Sequence, residues 1–419
     1  MKSSTLHLAA FGGTPEFIRP LHVGHPNLLE VDQLAEDLVQ VLRSGYLTNN
    51  GPRVREFEQL ISRVSSAKHC IAVCNATTAL QIAAKAMDLH GEVIVPSFTF
   101  IATPHAMKWI GLEPVFADVN PESHTLDPDS VERCISEKTT AIVPVHLWGN
   151  VCHTEALQRV ATRHGLRLLY DSSHAFGCSL NDQPVGSFGD AEVFSFHATK
   201  FVHSVEGGAI VTNDDQLADR CRRLRAFGIT GLTEISDLGI NGKMHELSAA
   251  VGLRTVAGLP VIQKANESNR HLYQQLLHDI PGLHLTHPES GVSSNRQYVV
   301  ITIDEDQFGL SRDQVVSLLR SEGVFARSYF APGCHRATPY ADQPLRTPLP
   351  VTERLLNTVM QLPTGLSLRA SDIMRIGKLI QMLQQQSTEI QKQLMVRNGR
   401  CNPHPADPAR MEISLKEAG

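Results

Sequence analysis

Between residues 53 and 230, short apolar runs alternate with amphipathic stretches, and no other feature constrains the fold of this 419-residue chain as strongly. Ile71–Cys74, Val93–Pro96, Pro114–Ala117, Ala141–Val145, Arg167–Tyr170, Ala191–Phe196 and Gly208–Thr212 read as strands. Several are apolar at consecutive positions, the mark of strands buried on both faces of a parallel sheet. Helical spacing over 78–88, 102–110, 155–164 and 215–226 separates several of them. The expectation is an α/β protein whose large domain is built on a mostly parallel seven-stranded sheet covered on both faces. Helical spacing also covers 27–43 and a long stretch from 243 to about 280. A strand at Gln297–Ile303 and helices over 312–322 and 370–384 then predict a smaller C-terminal α+β domain. The expected divisions are an N-terminal segment and helix (1–52), a large domain (53–257), a small domain (258–387) and a polar tail (388–419). Pro403, Pro405 and Pro408 lie close together in that tail, which is expected to be disordered.

Length alone favours two domains, since 419 residues exceed one ordinary core. A net charge of −5 without a basic stripe argues against nucleic acid as a partner. The apolar runs are strand-sized, too short to span a bilayer, and no apolar segment of secretory type follows Met1-Lys-Ser-Ser-Thr5. No membrane association is expected. The 8 cysteines are scattered without CxxC pairs and the 20 histidines show no HExxH-like spacing, so reduced cytoplasmic thiols and no metal site are expected.

Chemistry-bearing residues fall at or near the ends of the predicted strands. Asn75-Ala-Thr-Thr78 follows the first strand and opens a helix, where small residues let backbone N–H groups approach an anion. Asn and Thr there also suit a plain N-cap. Pro96-Ser-Phe-Thr-Phe100 ends the second strand and sets Phe100 where a flat ring could stack. Asp171, at the end of Arg167–Tyr170, could hold a pyridine nitrogen protonated by charge attraction, with His174 three residues on. Ser195-Phe-His-Ala-Thr-Lys200 closes on a lysine whose amine would need its charge suppressed to be a nucleophile. Each motif alone fits a structural role. Together they supply the parts that pyridoxal 5′-phosphate requires: an amine for its aldehyde, a carboxylate for its ring nitrogen, an aromatic for its face and an anion cradle for its phosphate.

These motifs, with Gly45-Tyr-Leu-Thr-Asn-Asn-Gly-Pro52, Glu206-Gly-Gly208, Asn241-Gly-Lys-Met244 and Tyr329-Phe-Ala-Pro332, make residues 24–385 resemble the nucleotide-sugar aminotransferases of the DegT/StrS group. The resemblance implies a fold type I pyridoxal-phosphate enzyme. It implies Lys200 as the Schiff-base lysine, Asp171 as the partner of the ring nitrogen, Phe100 stacked on the ring and His174 near the ring hydroxyl. Asn75, Ala76, Thr77 and Ser195 would receive the phosphate. Asn241 would reach the phosphate across a dimer interface, which implies a homodimer with shared active sites. Thr48, Lys243, Tyr329 and His335 are implied as substrate contacts. Lys243 stands where many relatives have arginine, and one additional asparagine lengthens the turn after Thr48. The implied reaction moves an amino group from L-glutamate to a keto-sugar nucleotide. The local wording is most like the subgroup that aminates C4 of dTDP-4-keto-6-deoxyglucose. A C3 aminotransferase, a sugar dehydratase and a non-catalytic regulator on the same fold are the alternatives. A dehydratase is disfavoured because relatives of that kind replace the lysine by histidine. A nicotinamide oxidoreductase is disfavoured by the lack of GxGxxG after the first strand.

Overall fold

The computed structural model describes residues 7–400. Seven strands form the main sheet: β1 (His69–Val73), β2 (Glu92–Pro96), β3 (Glu113–Ala117), β4 (Thr139–Ile142), β5 (Arg167–Asp171), β6 (Ala191–Ser195) and β7 (Gly208–Thr212). Their order is β1-β7-β6-β5-β4-β2-β3, parallel throughout except β7, which runs antiparallel to both neighbours. Reversal of β7 follows from its short connection. No helix of the length needed for a parallel crossover separates Ser195 from Gly208, so the chain returns as a hairpin-like loop.

Alternate residues of each strand enter opposite cores, which is why the strands are apolar at nearly every position. Ala72, Ile94, Leu168 and Phe194 pack under helices α1 (Pro52–Ser65) and α2 (Thr154–His164) through Phe57, Ile61 and Leu157. Val73, Val93, Leu169 and Val193 face the other way. There they meet Leu80 and Ala83 of Ala76–Ala86, Met107 of Ala102–Trp109, and Leu217 and Cys221 of Asp215–Arg225. Burying one side chain of this size contributes roughly 1.5–3 kcal/mol.

A second, smaller sheet of three antiparallel strands, β8 (Leu283–Leu285), β9 (Val299–Ile303) and β10 (Val359–Leu362), has its own core. Leu318, Leu319, Ile376 and Ile380 cover it, and so do Leu8 and Phe17 from the N-terminal segment. That segment is tied to the smaller body. The buried Glu322 carboxylate accepts the amides of Ala9 and Glu16 at 2.6 and 2.8 Å, and Leu21–His22 pairs in parallel with Val324–Phe325. Its dependence on residues more than 300 positions away is invisible in local spacing.

Three expected elements differ. The helix predicted over 27–43 starts later, at Val31–Ser44, because Asn27 is buried as a junction: its amide donates to the Phe201 carbonyl and its carbonyl meets His203. The long stretch from 243 to 280 is two helices, Glu246–Ala257 and Leu259–Leu277, broken at Gly258. Pro260 lacks the N–H that a continuous helix would use, so it sits in the first turn of the second helix. Part of the tail expected to be disordered is helical: Ser387–Arg400 continues the chain, Ile390 is fully buried in the smaller core, and the Gln391 amide donates to the Gly309 carbonyl at 2.9 Å. The rest of that tail, 401–419, lies outside the described residues.

Candidate active site

Strands β5 and β6 lie side by side and end at the same edge of the sheet, which brings the loops after them together. At the end of β5, the Asp171 amide donates to the Pro144 carbonyl and its own carbonyl accepts from the His146 amide at 2.9 Å, so the backbone is held on both sides. The carboxylate is buried. It accepts from the Thr103 hydroxyl at 2.7 Å and from the Ser173 amide at 3.0 Å. Two donors thus fix the two carboxylate oxygens in place.

The loop leaving β6 is fixed with equal care. Lys200 donates its amide to the His197 carbonyl, Phe201 donates to the Gln297 side chain at 2.6 Å, and Ser204 donates back to Phe196. Phe201 and Val202 are buried, anchoring the loop beside the amine. Burial lowers the Lys200 amine from 10.5 to about 8, while the charge of Asp171 pulls the other way. A neutral amine, a useful nucleophile or base, is thereby populated near neutral pH.

This shift has a measurable consequence. Recombination of the apoprotein with a pyridoxal aldehyde should accelerate about tenfold per pH unit at low pH, as the amine deprotonates, and level off above a midpoint near 8. A rate still rising steeply near pH ~10 would instead describe an ordinary exposed lysine. In stability the sign is opposite to that of a salt-bridged lysine. The unfolded chain keeps this proton up to 10.5 and the folded chain only to about 8, so the group favours folding increasingly as pH rises across that window.

Around this pair a cavity of about 530 Å³ opens at the sheet edge. Asn75, Ala76, Thr77, Phe100, Asp171, His174, Ser195, Lys200 and Tyr329, all named from sequence, line it. Asn75 does cap its helix, accepting from the Thr78 amide at 2.8 Å, so the bland reading of that motif also holds. The first N–H groups of the helix, at Ala76 and Thr77, have no acceptor within it. Strand β7 crosses so close beneath that a Cβ on Gly208 would lie 2.6 Å from the Ala76 nitrogen. Only glycine leaves this cradle open. Phe100 presents a half-exposed ring to the cavity. His174 is buried, with Trp148 stacked at 5.8 Å and Tyr298 at 4.7 Å between ring centroids. Burial, aided by the Lys200 charge, holds its imidazole well below the usual histidine range, and its Nδ1 has no hydrogen-bond partner.

The other expected contacts lie elsewhere. Thr48 is exposed in the turn between Val31–Ser44 and α1, where Asn49 and Asn50 take left-handed conformations with φ of 66° and 59°. Asn241 is exposed beside Ala226, and Lys243 carries its ammonium 4.8 Å above the Phe227 ring. None of the three lines the cavity of its own chain. His335 is also outside it, bridging Ser97 at 2.6 Å and Glu353 at 2.8 Å with its two ring nitrogens. Sequence reasoning missed Thr103, His197, Glu206, Tyr298 and Arg327. Thr103 sits one turn beyond Phe100 and Arg327 two residues before Tyr329, so proximity to a recognised motif was the available signal.

The site fits pyridoxal phosphate on four grounds: the convergent amine and carboxylate, the amide cradle that only Gly208 permits, the open aromatic face of Phe100 and the unpartnered buried nitrogen of His174. Fold and site together define a fold type I pyridoxal-phosphate enzyme. The model of the DegT/DnrJ/EryC1/StrS aminotransferase family matches residues 29–381, and the chain belongs to that family. It is 36% identical over 314 residues to a Shigella dysenteriae protein named dTDP-4-amino-4,6-dideoxy-D-glucose transaminase, covering 75% of this chain and 85% of that one. An Escherichia coli protein of the same name is 32% identical over 367 residues, covering 86% and 98%. The structure of DesI in the presence of its TDP-sugar product superposes with a TM-score of 0.91 at 45% identity, over 94% of this chain and all of that one. The chain is therefore a pyridoxal-phosphate-dependent sugar aminotransferase. Among the described residues no helix is long and apolar enough to cross a membrane.

Proposed function

We propose that this enzyme carries an amino group from L-glutamate to C4 of dTDP-4-keto-6-deoxyglucose, acting in the cytoplasm as a homodimer with shared active sites. The reading rests on one observation above all: the Lys200 amine, held at about 8, and the Asp171 carboxylate line the same cavity. The choice of sugar and of C4 is supported by the names of the two transaminases above and by the likeness to DesI, solved with a TDP-sugar product.

Bound pyridoxal phosphate supplies an electrophilic aldehyde and a ring that draws electrons from the substrate carbon. Lys200 would hold the aldehyde at rest and, once freed, would serve as the base that moves the proton from the donor's α-carbon to the cofactor's C4′. Asp171 would keep the proton on the ring nitrogen, with Thr103 and the Ser173 amide fixing its two oxygens. Phe100 would pack on the ring and His174, uncharged, would meet its hydroxyl. Asn75, Ala76, Thr77 and Ser195 would hold the phosphate. The residues over 53–257 form the cofactor domain and those over 258–387 the small domain, which contributes Tyr329 to the substrate side.

Asn241, Thr48 and Lys243 serve the partner's site in this reading. Their exposure outside their own cavity supports it, as do the exposed apolar side chains of Phe227, Ile229, Leu232, Ile235, Leu238 and Ile240 just ahead of Asn241. The test has two stages. Holoenzyme mixed with L-glutamate should lose its visible absorbance and release 2-oxoglutarate. Addition of dTDP-4-keto-6-deoxyglucose should then restore the absorbance and give a product with nitrogen at C4 by NMR. Nitrogen at C3, or a dehydrated sugar without 2-oxoglutarate, would overturn the assignment.

A further inference from the structure

Among the described residues that line the cavity, Lys200 and Arg327 carry the basic side chains other than histidine. Lys200 is the reacting amine, which leaves Arg327 as the fixed cation. The small sheet sets it in place: its amide donates to the Gln361 carbonyl at 3.2 Å and its carbonyl accepts from the Gln361 amide at 2.8 Å. Its guanidinium lies 5.5 Å from the centre of the Tyr329 ring and donates to the Tyr329 hydroxyl. Arg327 is half-buried at the cavity wall. The Tyr329 ring beside it stacks on Trp148 at 6.4 Å between centroids, Trp148 stacks on His174 at 5.8 Å, and the Tyr298 ring lies 4.7 Å from that of His174. This ring stack joins Arg327 to His174, and Lys200 lines the same cavity.

The aminotransferase reading, on which this inference rests, brings two anionic substrates to the cavity. In a sugar nucleotide the diphosphate is separated from the reacting carbon by the sugar ring. In an α-amino acid the carboxylate is bonded directly to the carbon that yields its proton to Lys200. A cation joined by this ring stack to His174 suits the second anion, and a guanidinium fork matches a carboxylate with two parallel hydrogen bonds. We infer that Arg327 anchors the α-carboxylate of the amino donor and so selects α-amino acids.

The two half reactions, measured separately on holoenzyme, test this. In Arg327→Gln, kcat/KM for L-glutamate should fall about 10- to 100-fold, with Arg327→Lys recovering only part of the loss. Amination of the keto-sugar nucleotide, started from the aminated cofactor form, should change less than about threefold. Binding of 2-methyl-L-glutamate, which has no α-proton, should weaken in parallel when followed by absorbance. A loss concentrated in the sugar half reaction would make Arg327 a diphosphate contact and overturn the inference. An equal loss in both halves, or no loss with L-glutamate, would overturn it as well. Wild-type enzyme that responds to no amino donor would instead sink the aminotransferase reading, and this inference with it.

Discussion

Replacing Lys200 by alanine is expected to reduce turnover by at least about 10⁴-fold while leaving the fold intact. The residue is the amine that the site is built to neutralise. Its loop is held by the His197 carbonyl, the Gln297 side chain and the buried Phe201 and Val202, none of which depends on the ammonium group. Removing the side chain therefore takes away the base and the aldehyde anchor without loosening the scaffold. Steady-state rates with L-glutamate and the keto-sugar nucleotide, read beside a thermal melt, separate the two effects. A variant that unfolds would point to a structural role, and one that keeps its activity would remove Lys200 from the chemistry altogether.

Asp171→Asn should cost on the order of 10²–10³-fold in kcat, with a smaller change in KM. The substitution preserves shape and keeps an oxygen for the Thr103 hydroxyl or the Ser173 amide, but it removes the negative charge. An uncharged amide cannot hold a proton on the ring nitrogen, and the ring then accepts electrons poorly as the substrate carbon is deprotonated. The loss should thus fall on the chemical step, visible as a slowed absorbance change when holoenzyme meets saturating L-glutamate. A rate within about threefold of wild type would contradict the assigned role. A loss confined to cofactor affinity would do the same.

How far the sequence alone led can be judged from particular elements. Glu92–Pro96 was readable because Val93, Ile94 and Val95 are apolar toward both cores, a pattern few other structures produce. The antiparallel direction of Gly208–Thr212 does not show in its composition, which a buried strand keeps whichever way it runs, and only the short, helix-free link from Ser195 carries it. The break at Gly258 was hidden because Pro260 is well tolerated in a helix's first turn, so the spacing reads through it. The helix beyond residue 387 escaped because its burial rests on Ile390 and Leu394 meeting a core assembled from distant segments.

The site divides along the same line. Asp171 and Lys200 could be placed because side chains at strand ends gather at one sheet edge, so that type and position suffice. Thr103 and Arg327 matter through contacts between separate parts of the fold, 68 residues apart in one case and across to the smaller body in the other. His335 had the right residue type and a neighbouring motif. Its two ring nitrogens nevertheless hold Ser97 and Glu353, a use that only three-dimensional placement reveals.

Borohydride reduction of the holoenzyme, followed by peptide mass spectrometry, tests the central claim most directly, because it fixes the cofactor to whichever amine holds it. The expected result is a single phosphopyridoxyl group on the peptide containing Lys200, absent from the alanine variant. A group found on any other lysine, or no modified peptide from cofactor-saturated protein, would contradict the account.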